Sequence, residues 1–429
     1  MAKMNNPFII MSVLLCCRPL DSGVLEAGRA AFYLRLDVPA DAVPGEYTGT
    51  VTLTVGEEQL VLPVCLKVYQ TTVPSRADAN FHMVNWIYYD KLAKQHDVEQ
   101  YSPEYLEVLN AYLDNELDMR NDYLMIPSGV PVRDEAGKVV DFDFSGAEFV
   151  GNAALKKGFR YVMGGFSARF ERWDEPDHYL LWDRKVTVTS LEGYRQLKLY
   201  FTRAWESVVR NDWQEHYMQC LVDEPQFPNS LAYRALSGIC RKCMPGVIIH
   251  DPVETTDVEG AIDVWVVKQA IFDKYIDTYR ALQEMGEEMW IYTCGFPGGY
   301  CMNRIIDLPL TVSRLPLWMC YLYDCPGFLH WGYHAHNPEV AGETCYKVGE
   351  GVYYPAGNSF VVYPGDGRPW YSVRGHLQRA GSVDVELFRQ LGEEKAKELI
   401  LRVCRNFDDY DPSVEALENV RREVLELLG

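Results

Sequence analysis

A chain of 429 residues with 48% apolar content is long enough for two domains, or for one large barrel with a smaller module, and it excludes general disorder. The formal charge of −20 argues against nucleic acid and anionic membrane surfaces as partners, because no excess of cations is present to neutralise phosphates. No run of the sequence reaches the roughly 20 apolar residues that cross a bilayer.

The chain opens with an apolar segment, Pro7 to Cys17, preceded by Lys3. It reads either as a secretory h-region or as a buried strand. No small-x-small cleavage site follows, and Arg18-Pro19-Leu20 is a poor exit, so the strand is preferred. With it goes a cytoplasmic location, secretion being the alternative if residues 1–20 act as a signal peptide. Twelve cysteines without a paired CxxC framework fit reduced thiols better than a disulfide scaffold or a zinc site. Phe32, Leu34 and Leu36 then alternate with polar residues, as do Thr50–Val55 and the run from Leu60 to Val68. Short alternating strands between Gly/Pro turns predict a small β-sandwich over residues 1–72, in an incomplete form.

From residue 73 to 429 the rhythm changes to strand-like runs alternating with helical ones, the pattern of a parallel α/β fold. Eight strands are predicted: Phe81–Tyr88, Asp122–Ile126, Phe159–Met163, Tyr217–Asp223, Val247–His250, Asp263–Val267, Met289–Thr293 and Gly327–Trp331. Eight is the number that closes a (β/α)8 TIM-like barrel. Ser102 followed by Pro103 marks a helix start, with Leu106, Leu109, Leu113 and Leu117 on one face. A second helix is predicted from Leu191 to Arg210, its stripe made of Tyr194, Leu197, Phe201 and Val208. The stretch from Pro127 to Thr189 is too long for a simple loop and predicts an inserted hairpin. The tail from Val383 to Leu428 reads as helical, broken at Asn406–Pro412.

Asp223-Glu224-Pro225 closes the apolar run Tyr217–Val222 and is the most informative feature of the chain. Two adjacent carboxylates at the end of a buried strand are costly to place there, since desolvation disfavours their charged forms. Neighbouring side chains on a regular strand face opposite ways, so both acids reach one cleft only where the strand becomes irregular. Pro225, which has no N–H for the ladder, is a reason for it to do so. Acid pairs at the C-terminal mouth of a barrel are suited to sugar chemistry. The plainer alternative is a solvated turn. No phosphate loop, Gly-x-Ser-x-Gly elbow or His-Glu-x-x-His motif points elsewhere.

Val38-Pro39, Pro44–Gly49, Asp223-Glu224-Pro225, Trp290–Cys294, Asn303, Asp307, Arg314, Trp318 and Gly327–Gly332 recur in this order in glycoside hydrolase family 123 and its relatives. Tyr363–Gly367 and Ser372-Val373-Arg374 resemble the continuation. The resemblance spans residues 25 to 390. It implies a sandwich followed by a (β/α)8-type catalytic barrel, and removal of a terminal β-linked N-acetylgalactosamine by a substrate-assisted retaining mechanism. On that basis Glu224 is the expected general acid/base and Asp223 the residue that orients the 2-acetamido group. The chain departs from the family pattern at His376, Ala380 and Val383, which implies altered support in the last barrel helix and leaves the sugar open.

Trp331, Tyr292, Trp86, Trp318 and His250 form the expected substrate-binding set. For each of Trp331, Tyr292, Trp86 and His250, core packing is the competing reading. Asp307 and Arg314 are expected to pair and to fix the loop after the seventh strand. His330, His334 and His336 invite a metal reading, but no acid or cysteine completes the set, so neither metal nor cofactor is expected. The rival functions are a glycosidase using two carboxylates ≈ 5–5.5 Å apart, and a carbohydrate-binding protein without turnover.

Overall fold

The computed structural model describes residues 33, 35–55, 57–335, 346–349 and 352–429. The apolar segment 7–17, together with Phe32, Leu34 and His336, lies outside these residues. What is described of the N-terminal unit is one antiparallel pair, Gly45–Val55 with Glu58–Val68. Tyr33 and Arg35–Val38 precede it without forming a strand. This segment is tied to the barrel. Arg35 donates to both oxygens of Asp118 at 2.6 and 2.7 Å, and the Tyr33 ring stacks on His376 at 4.3 Å. His376 stacks in turn on Tyr371 at 4.5 Å. The departure from the family pattern at His376 thus sits in a three-ring stack on the last barrel helix.

All eight predicted barrel strands are present, as His82–Asn85, Tyr123–Met125, Tyr161–Gly164, Tyr217–Gln219, Ile248–Val253, Val264–Lys268, Glu288–Thr293 and Gly327–His330. Seven parallel pairings join them in sequence order, with the eighth strand beside the first. Between the first and second strands the barrel is closed by Asp122. Its N–H donates to the Met83 carbonyl at 3.1 Å, and its carboxylate accepts from the Met83 N–H at 3.2 Å. The result is a nearly closed (β/α)8 barrel. Buried parallel strands read as continuous apolar runs, which is why their positions are legible in the chain.

The helices explain their own boundaries. Ser102 accepts from the Tyr105 N–H at 3.1 Å and starts Pro103–Asp118; Ser190 accepts from the Gly193 N–H at 3.0 Å and starts Leu191–Arg210. On the first of these the buried face is Tyr105, Val108, Leu109, Tyr112 and Leu113, so the stripe is rotated from the predicted one and Leu106 and Leu117 lie at its margins. Large tyrosines, which bury more surface than leucine, set that face. Residues 127–189 hold the expected hairpin, Val130–Arg133 with Val139–Asp143, then helix Ser145–Lys157, the third barrel strand and a small three-stranded sheet. The tail forms three helices, Val373–Leu391, Glu393–Ile400 and Val414–Leu428.

Arg314 does not pair with Asp307, which is exposed. Its guanidinium grips Asp384 of the last barrel helix and donates to Glu418 at 2.9 Å, and the Trp318 indole N–H donates to Asp384 at 2.8 Å. Burial decides the partner: Arg314 and Asp384 are 4% and 2% exposed, and a buried cation is stable only beside a buried anion. The barrel interior is filled by Val84, Met163, Met218, Val266, Trp290 and Leu329. Gly327 admits the Trp290 indole against the eighth strand, where a Cβ would collide with the ring.

Candidate active site

The fourth barrel strand loses regular pairing after Gln219. Four and five residues later, at Asp223 and Glu224, the chain bends, and Glu224 takes a left-handed backbone with φ +53°. A non-glycine residue in that region is strained and is held there by its surroundings. The restraints are two backbone hydrogen bonds to the end of the fifth strand: Glu224 N–H to the Pro252 carbonyl at 3.1 Å, and Glu254 N–H to the Pro225 carbonyl at 3.2 Å. Asp251, behind the sheet, accepts from the Leu221 N–H at 2.9 Å and from the Tyr233 hydroxyl at 2.8 Å, which steadies the approach to the turn. This irregularity turns both acids toward the C-terminal mouth, where the Tyr354 ring lies within the electrostatic reach of each.

Glu224 is nearly buried, its side chain 15% exposed. The Tyr292 hydroxyl donates to its Oε1, and the Lys268 ammonium stands 3.6 Å from the same oxygen. Tyr292 and Lys268 are register partners on the seventh and sixth strands, so the sheet presents them at one level. Lys268 also holds Glu254 in a close ion pair. Burial pushes the Glu224 carboxyl above its ordinary range, with Glu254 adding to the rise, while Lys268 and Tyr292 pull it down. Asp223 is likewise pushed up, first by enclosure and then by the charge of Glu224. Its side chain is open to solvent. Because water reaches it, enclosure counts for less than in a dry core, and the adjacent negative charge is the firmer cause.

Aromatic rings gather on the Trp331 side of the mouth. Trp331 follows the eighth strand; its indole N–H donates to Asn358 at 3.0 Å, and Tyr354 and Tyr88 pack against it at 5.4 and 6.2 Å between centroids. Gly295 lets the Tyr354 ring approach the chain, since a Cβ there would enter the ring. Phe296, half exposed, meets the other side of Tyr354 at 5.8 Å. Trp86 is mostly buried in the barrel interior, edge-on to Phe166 at 5.6 Å.

Of the expected set, Glu224, Asp223, Tyr292, Trp331 and Trp86 belong to the mouth or the layer beneath it. Trp318 does not: it lies on helix Leu315–Leu322, fully buried and bonded to Asp384 behind the barrel wall. His250 is buried too, its ring 4.9 Å from Trp290 and 6.4 Å from Tyr123 in the lower barrel, and burial lowers its pKa to about 4. Its strand runs three residues further, to Val253, so His250 sits below the mouth rather than on it. Lys268, Glu254 and Asn358 were not anticipated. For Lys268 a signal existed, because it is a charged residue directly after the apolar run Val264–Val267, the same pattern that marks Asp223-Glu224.

Among the described residues no group of three His, Cys, Asp or Glu side chains could hold a metal ion. The nitrogens of His334 are taken by the Tyr88 N–H and Gln95, and Nδ1 of His330 accepts from the Gly332 N–H. The nine described cysteines are free. No described helix is long and apolar enough to cross a membrane. A cavity of about 510 Å³ lined by His82, Arg160, Arg241, Asp263 and Glu288 opens at the opposite end of the barrel, where the strands begin. Barrel enzymes work at the other face, so the acid pair, not that cavity, marks the site.

Paired acids with aromatic rings gathered beside them at the C-terminal mouth of a (β/α)8 barrel are an arrangement suited to the hydrolysis of glycosidic bonds. Residues 86–391 match the model of the glycoside hydrolase 123 catalytic domain, and the chain belongs to glycoside hydrolase family 123. A family 123 glycoside hydrolase from Clostridium perfringens, solved in a study of glycolipid glycan hydrolysis, is similar in fold at 15% identity and a TM-score of 0.72, covering 91% of this chain and 75% of that one. A β-galactosidase from Marinomonas ef1 is more distant, at 10% identity and a TM-score of 0.47 over 75% of this chain and 62% of its own. No curated protein matches the sequence.

Proposed function

We propose that this glycoside hydrolase removes a terminal β-linked N-acetylhexosamine, with N-acetylgalactosamine the first candidate, by a substrate-assisted retaining mechanism. The observation that supports this reading is the turn at Glu224, where two sequence-adjacent carboxylates stand at the barrel mouth in different environments, one nearly buried and one open to solvent. Glu224, nearly buried and pushed up in pKa, is suited to protonate the departing glycosidic oxygen. Asp223, more open, is suited to accept the acetamido N–H and hold the carbonyl oxygen against the anomeric carbon. In the first step that oxygen forms its bond to the anomeric carbon as the glycosidic bond breaks and the Glu224 proton passes to the leaving group. In the second, ionised Glu224 takes a proton from water, whose oxygen bonds the same carbon and reopens the cyclic intermediate with retained configuration. Trp331 would form the apolar floor for the sugar face.

One observation favours a second reading. Glu254 directly follows the neighbouring strand beside Glu224, where a two-carboxylate enzyme would keep its nucleophile. Its carboxylate is committed to Lys268 and is 13% exposed, whereas Asp223 is open to solvent, so Asp223 is the better partner. Release of nitrophenol from 4-nitrophenyl β-glycosides separates the two. Turnover of 2-acetamido sugars with none of the 2-hydroxy counterparts is expected, and efficient cleavage of 2-hydroxy sugars would move the nucleophile to Glu254.

The same assay tests the sugar platform. Asn358→Ala removes the acceptor of the Trp331 indole N–H and is expected to raise KM about 2–10-fold with kcat nearly unchanged, as befits the loss of one hydrogen bond of about 0.5–1.5 kcal/mol. A fall in kcat at constant KM would remove Trp331 from the sugar-binding role.

A further inference from the structure

Three charged side chains from three consecutive strand ends meet at one point. Glu224 follows the fourth strand, Glu254 the fifth, and Lys268 ends the sixth. Lys268 is the shared member, 3.6 Å from Glu224 and in close contact with Glu254. All three side chains are nearly out of solvent, at 15%, 13% and 12% exposure, so their charges are weakly screened. The reciprocal backbone bonds between Glu224 and Pro252 and between Glu254 and Pro225 hold the two carboxylates side by side, so the arrangement does not depend on flexible surface chains.

We propose that Glu254 is a positioning residue for catalysis, which acts by neutralising Lys268 and so lets Glu224 keep its proton. This rests on Glu224 being the general acid. An ammonium this close to a carboxyl, left alone, favours the ionised form and would strip the acid of its proton at neutral pH. Glu254 cancels that charge. Lys268 in turn screens Glu254 from Glu224 once the latter has given up its proton, and remains cationic because Glu254, joined by Glu224 when ionised, outweighs the cost of its burial. Among the described residues, the other titratable groups facing Glu224 are Asp223 on its own turn, Tyr292 on the seventh strand, Cys294 just after that strand, and Tyr354. Burial pushes the Cys294 thiol up to about 12, so it is neutral near pH 7. Burial likewise raises the Tyr292 and Tyr354 hydroxyls, which leaves Asp223, Glu254 and Lys268 as the charges that act on Glu224.

The test is a 13C NMR titration of the Glu224 carboxyl, identified as the glutamate resonance missing from Glu224→Gln. Glu254→Gln is expected to lower the Glu224 midpoint by about one to three units, and Lys268→Met to raise it by a similar amount. The double variant returns the midpoint close to that of the wild type, a compensation that a merely structural role does not produce. Glu254→Asp, which keeps the charge, leaves it in place. If Lys268→Met fails to fold, the contrast between Glu254→Gln and Glu254→Asp carries the test alone. Unmoved midpoints, or shifts of the same sign in both single variants, overturn the proposal. Turnover judges the underlying reading separately: full activity of Glu224→Gln would remove Glu224 as the acid whatever the titration shows. Glu254→Gln is expected to regain activity at lower pH, and a loss at every pH would identify Glu254 as the nucleophile instead.

Discussion

Glu224→Gln is expected to lower kcat on a 2-acetamido glycoside by about 10²–10⁴-fold, the usual contribution of a positioned general acid. The loss depends on the leaving group in a predictable way. Nitrophenolate departs without much help from a proton, so on a nitrophenyl glycoside the first step suffers little and the water-activating second step carries the defect. A sugar or alkyl leaving group needs the proton, and there both steps suffer. The carboxamide keeps the shape of the side chain and can still accept from the Tyr292 hydroxyl, so the variant is expected to fold. Equal losses on both classes of substrate would contradict the acid role. Asp223→Asn serves as the companion, because in the substrate-assisted mechanism its defect falls on the 2-acetamido group rather than on the leaving group.

The second large effect is on stability. Asp384→Ala leaves the Arg314 guanidinium buried with only half-exposed Glu418 for a partner and takes the acceptor from the Trp318 indole. Breaking one side of a buried ion pair typically costs about 3–5 kcal/mol, which should appear as a large fall in the urea midpoint. Glu418→Ala is the control. Its side chain is 48% exposed, so the expected loss is at most about 1 kcal/mol. Similar small losses in both variants would mean that water reaches Arg314 and that the last barrel helix is not anchored through it. The mutation lies behind the barrel wall, so whatever Asp384→Ala protein remains folded should keep the substrate preference of the wild type.

These two expectations differ in how far the sequence alone led to them. The acid pair was visible because charge directly after an apolar strand run is rare and costly, and the eight strands were visible because buried parallel strands need apolar residues on both faces. The caps at Ser102 and Ser190 were visible because a helix start is a local event, settled by a hydroxyl and a backbone N–H three residues on. The resemblance to family 123 added roles for Asp223 and Glu224. Trp318, expected to bind substrate, lies behind the barrel wall instead, and Arg314, expected to pair with Asp307, is bound to Asp384. A tryptophan or an arginine in a motif reports that its surroundings matter, not which side of the barrel wall it faces.

By itself, then, the sequence determined the periodicity of the barrel, the ends of its principal helices and the adjacency of two carboxylates at the close of the fourth strand, since each depends on residues near one another along the chain. How the two acids are set at the mouth was decided by the left-handed turn at Glu224 and its two backbone bonds to the fifth strand. Which charges tune Glu224 was decided by strands meeting at their ends, with Lys268 and Glu254 arriving from 44 and 30 residues further along. Burial and Coulomb interactions act through space, and closing the barrel is what brings these distant groups within a few ångströms of one another.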